Sequence, residues 1–113
     1  MNLSERLRSK KPKVERVLVD GDIYLVSSKS KLERGRLFAR SKKKDGSINS
    51  DMLESLMLEA CVTTEDGTNA PVQDWDMAPS YVTGPLINAI MSVNGMDKDD
   101  LGRDPKDLDS TES

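Results

Sequence analysis

The chain has 113 residues, of which 35% are hydrophobic and 33% charged, with one Trp, two Tyr and one Phe; a single domain is the default, and its core must rest on aliphatic side chains and Met. It holds no His and one Cys, which excludes imidazole acid–base catalysis, a His or multi-Cys zinc site and an intrachain disulfide. The net charge of −3 covers two halves of opposite sign, since residues 1–44 carry 14 Lys and Arg against 5 Asp and Glu while residues 45–113 carry 3 against 15.

Residues 1–13 include Arg6, Arg8, Lys10, Lys11 and Lys13 with few apolar groups, and read as a flexible basic arm. From Val14 the pattern changes. Val17-Leu18-Val19 and Ile23-Tyr24-Leu25-Val26 flank Asp20-Gly21, which predicts a β-hairpin. An isolated hairpin is marginal in water, so its apolar face must lie against the helices that follow. Ser30 and Glu33 have capping-box spacing and open a helix predicted over 31–43, with Leu32, Leu37, Phe38 and Ala39 as its apolar side and Gly35 weakening its middle by ~1 kcal/mol. Asp45-Gly46-Ser47 reads as a turn, with Ser47 or Ser50 as the cap of a second helix. There Leu53, Leu56, Met57, Ala60 and Cys61 recur at the spacing of one buried stripe.

Residues 63–76 read as a loop that ends near Trp75, which docks on the domain. A third helix follows Pro79 and carries Leu86, Ile87, Ile90, Met91 and Val93 to Asn94-Gly95, a pair suited to a left-handed cap. Gly84-Pro85 is expected to kink it or delay its start. Residues 97–113 read as an acidic flexible tail. The expected fold is α+β and mainly α: a small domain over 14–96, built of a hairpin plus three helices, between a basic arm (1–13) and an acidic tail (97–113). No apolar stretch is long enough for a signal peptide or a membrane span, so a soluble intracellular protein with no membrane contact is expected.

Little in the chain points to chemistry. Asp97, Asp99 and Gly102 stand at positions 1, 3 and 6 of a calcium-loop pattern, but Leu101 and Leu108 occupy positions 5 and 12, where oxygen ligands are needed. No metal and no cofactor is expected. Ser, Thr and Cys nucleophiles lack an activating base that a motif would identify, so the expectation is not an enzyme. Arg36, Arg40, Lys43 and Lys44 recur at helical spacing as a basic stripe able to follow phosphates. The arm has no interleaved aromatics, no helix-turn-helix or zinc pattern is visible and the pI is about 5.0; a solvated face is therefore favoured over nucleic-acid binding. The charged halves are read first as neutralising each other within one fold, and second as a heterologous contact in which the basic face of one copy meets the acidic face of the next.

The Val-Asp-Gly-Asp-Ile-Tyr-Leu-Val hairpin at 19–26, the charged helix around Glu33-Arg34-Gly35-Arg36, the helix ending Leu56-Met57-Leu58-Glu59-Ala60-Cys61-Val62, Glu65-Asp66-Gly67 and a last helix closing on Val93-Asn94-Gly95 occur in an order that resembles the tail assembly chaperones of long-tailed (siphovirus-type) bacteriophages. The likeness covers about residues 16–96 and contains no catalytic fingerprint. It implies a late, non-enzymatic morphogenesis factor of the host cytoplasm that binds the helical, aggregation-prone tape measure protein, self-associates around it and is absent from the finished particle. It also implies a minor, frameshifted longer product whose extra region recruits tail tube protein. An α-helical ligand needs an apolar groove, and Leu53, Leu56, Met57, Leu86, Ile90 and Met91 are the candidate partner-binding residues; a core of this size needs the same kind of side chain inside. Another phage structural adaptor, or a small nucleic-acid-binding protein, is the alternative.

Overall fold

The computed structural model describes residues 1–96; the acidic tail and the calcium-like stretch fall outside the described residues. In chain order the elements are α1 (Leu3–Ser9), β1 (Val14–Val19), β2 (Asp22–Ser27), α2 (Lys31–Arg40), α3 (Ser50–Cys61), β3 (Val62–Thr64), α4 (Val72–Asp76) and α5 (Ser80–Val93). The α+β class holds, with five helices and a third strand among the described residues in place of a hairpin and three helices.

The hairpin forms as the sequence predicts. Val19 pairs with Asp22 at its closed end, and Asp20 and Gly21 both take positive φ (51° and 83°), as a two-residue turn matching the right-handed strand twist requires. The sheet is antiparallel in the order β1-β2-β3, with Val26 opposite Val62 and Tyr24 opposite Thr64. Val19 and Val26 enter the core and Val17 and Tyr24 pack on its margin, facing α5. The other face carries Leu18, Ile23 and Leu25, as the period of two dictates.

The core joins this sheet face to Leu37 and Phe38 of α2, Leu53, Leu56, Met57, Leu58 and Cys61 of α3, and Leu86, Ala89, Ile90 and Met91 of α5. Each helix end has an identifiable cause. The Ser30 and Glu33 capping box forms in both directions. The helix it opens stops at Arg40 rather than running to 43, because Ser41 turns back: its buried hydroxyl donates to the Phe38 carbonyl at 2.8 Å, and Lys42 then bridges Ile48 across a tight turn. Leu32 and Ala39 are exposed, so only Leu37 and Phe38 of the expected apolar side enter the core. Asn49, and neither Ser47 nor Ser50, caps α3 by accepting from the Met52 N–H; Ser47 is taken by Asp45 within the turn.

Helix α5 starts directly after Pro79 and carries Pro85 inside it. Pro85 stands in the second turn, where a missing N–H removes one hydrogen bond without ending the helix. The Asn94-Gly95 end closes as predicted: Gly95 has φ 67°, Met96 N–H donates to the Met91 carbonyl at 2.8 Å and Gly95 N–H to Ser92 at 3.2 Å. These two bonds make a Schellman cap. Asn94 also accepts from the Lys29 N–H at 2.9 Å, tying the end of α5 to the link between β2 and α2.

The arm departs from expectation. Residues Leu3–Ser9 are helical, with Asn2 accepting from the Glu5 N–H at 2.9 Å, and none of the seven is buried. Lys13 fastens the base of the arm: its N–H donates to Ser28 Oγ and its carbonyl accepts from the Ser28 N–H, both at 2.8 Å.

Candidate functional site

All six residues expected to line a partner groove belong to the core. Leu53, Leu56, Met57, Leu86, Ile90 and Met91 are at most 6% exposed and hold α3 against α5 and the sheet. The physical reason is the scarcity of large apolar side chains: a domain this small must commit its best helical stripes to its own interior. The basic stripe also breaks. Arg36 and Arg40 lie on α2, whereas Lys43 and Lys44 lie in the turn after Ser41, so helical spacing no longer aligns the four.

The structure opens a different surface, a groove of about 550 Å³ between α3, α4 and α5. Helix α4 forms one wall and is held from outside its own sequence. Pro71 supplies no side-chain cap, and Glu59 of α3 accepts from the Val72 N–H at 2.8 Å instead. Trp75 donates its indole N–H to the Ala70 carbonyl at 3.1 Å, fixing the ring half-buried against the core margin. Ser55 of α3 donates to Asp76, which joins the two helices across the groove. Trp75 thus docks as the sequence predicts, although on a helical turn rather than at the end of a loop.

Met52, Trp75 and Ile87 give the groove apolar surface with Leu58 closed beneath them at 2% exposure, Asn49, Ser55, Ser80 and Thr83 add neutral polar groups, and Asp51, Glu54 and Asp76 give it negative charge. Burial pushes the Glu54 carboxyl above the ordinary glutamate range, and the charge of Asp51 adds to the effect. Residues 45–96 contain eight Asp and Glu and no Lys or Arg, so no cation from this stretch can neutralise the groove. Arg16 of β1 and Glu65 join the two charged halves elsewhere, at 3.0 Å and with both side chains mostly exposed; such a pair contributes little.

Sequence reasoning missed Met52, Glu54 and Asp76 as surface residues of one site. Met52 precedes the buried stripe of α3 by one position, and Asp76 ends a stretch read as loop. The available signal was the long interval without a basic residue, with the chain's one Trp inside it. The remaining chemistry is sparse: among the described residues no group of three His, Cys, Asp or Glu is placed to hold a metal ion, and no helix is long and apolar enough to cross a membrane. The arrangement offers apolar contact and negative charge to a ligand with complementary properties. No protein-family model, curated protein or solved structure matches this chain.

Proposed function

We propose that this chain is a tail assembly chaperone of a long-tailed bacteriophage, a non-enzymatic factor of the host cytoplasm that holds the tape measure protein soluble during tail building. The observation that carries the reading is the groove between α3, α4 and α5, where Met52, Trp75 and Ile87 stand beside Asp51, Glu54 and Asp76, a combination that suits a helical segment with apolar residues on one side and basic residues flanking them. The resemblance of the sequence elements supplies the partner's identity. Recruitment of tail tube protein belongs to the frameshifted longer product and not to the groove.

Co-expression with a tape measure protein, followed by pull-down and size-exclusion chromatography with light scattering, tests this reading. A soluble complex with several copies per partner is expected, and Met52→Lys should abolish it. Recovery of the tape measure protein only as aggregate, with this chain running alone, overturns the proposal. Titration against duplex DNA at two salt concentrations tests the nucleic-acid alternative, which requires affinity that falls steeply with salt.

A further inference from the structure

Helix α1 has the properties of the ligand that the groove would take. Leu3 and Leu7 stand at i and i+4 on one face, 71% and 64% exposed, and Arg6 and Arg8 flank them in the same helix, followed by Lys10, Lys11 and Lys13. Seven residues are too few for a helix that is stable by itself in water, and α1 buries none of its own. Contact with another surface would supply the missing burial.

Its own groove is on a different part of the chain. Lys13 is tied to Ser28, and Leu7 and Lys10 lie beside Lys29, Ser30 and Glu33 at the start of α2. None of these residues lines the groove of α3, α4 and α5. We infer that α1 of one copy docks in the α3–α4–α5 groove of a second copy. Leu3 and Leu7 then lie against Met52, Trp75 and Ile87, while Arg6 and Arg8 face Asp51, Glu54 and Asp76. Docking is heterologous, because donor helix and acceptor groove are different surfaces; copies therefore join head to tail into chains or rings. The contact assigns an occupant to the groove in the absence of the proposed partner. It rests on the groove being a docking surface, and not on the partner being a tape measure protein.

The test is sedimentation velocity of the full chain alone, over a range of concentrations, at ionic strengths of about 0.01 and 1 M, where the screening length is roughly 30 and 3 Å. Species larger than a monomer should grow with concentration at low salt and dissociate at high salt. Two variants separate the surfaces: Arg6→Glu/Arg8→Glu on the arm, which touches only exposed side chains, and Asp51→Lys/Glu54→Lys in the groove. Each alone should lose self-association while keeping a cooperative thermal transition. Mixing the two should restore it, because each reversed surface then meets its complement and each unaltered surface meets an unaltered one. A monomer at every concentration in low salt overturns the inference, as does self-association that survives either variant or mixing that restores nothing. The arm variant should still capture the tape measure protein in the co-expression experiment; loss of self-association with capture retained separates this inference from the proposed function.

Discussion

Two titratable side chains report directly on how residues are placed. Cys61 closes α3 at 2% exposure, and burial pushes its thiol up to about 11. Since the thiolate is the reacting species, a thiol reagent at pH 8 should leave native Cys61 unmodified and label it fully in denaturant; rapid labelling of the native protein would show that α3 frays at its end. Glu54 is also raised, by burial first and Asp51 second, and the sign of its effect on stability follows. A raised carboxyl favours the folded state only while protonated, so its contribution is present in acid and is lost as pH rises through the folded value. Glu54→Gln should therefore stabilise the fold at pH 7, by less than about 1 kcal/mol given solvent screening, seen as a higher melting temperature, and the gain should vanish near pH 3. An equal gain at both pH values would mean that the charge of Glu54 is irrelevant to it.

At the scale of elements, α2 offers the cleanest test of local propensity. Gly35 lies inside the helix, has no positive φ and would place a Cβ with nothing within 4 Å. Gly35→Ala should stabilise the domain by roughly 0.5–1 kcal/mol through the helix interior and the unfolded chain together, measured by urea denaturation with an unchanged m-value. The elements that were legible in the sequence are those with local causes: the Asp20-Gly21 turn, the Ser30 and Glu33 box, the α3 stripe and the Asn94-Gly95 end. Those that were not depend on residues distant in the chain. The three residues of β3 gain strand geometry from pairing with β2, and α4 needs Glu59 to cap it. The end of α2 was misplaced because Ser41 satisfies its buried hydroxyl on Phe38, a local bond that no periodicity reveals. Helix α1 was missed for the opposite reason, since its Asn2 cap is local but its composition lacks the apolar content that usually accompanies order.

Across the whole molecule, one limited set of apolar side chains has to supply both an interior and any binding surface. Periodicity identified the buried stripes of α3 and α5 but could not say which side of them faced a partner, because core and groove both select Leu, Ile and Met. The structure divides the methionines: Met57, Met91 and Met96 are buried, whereas Met52 is 43% and Met77 86% exposed. Met57→Asp should abolish the cooperative thermal transition, since an unpaired carboxylate in a 3% exposed site costs several kcal/mol out of a total of roughly 5–15. Met52→Lys lies at the rim of the interior and should change stability by no more than about 0.5 kcal/mol. Its effect should instead appear in binding: the substitution removes apolar surface from the groove and sets a cation where a basic ligand must approach, so partner capture and low-salt self-association should both be lost from a fully folded protein. Circular dichroism melts run beside pull-down and sedimentation decide the matter, and a Met52→Lys protein that melts normally and still binds would move the docking surface away from α3, α4 and α5.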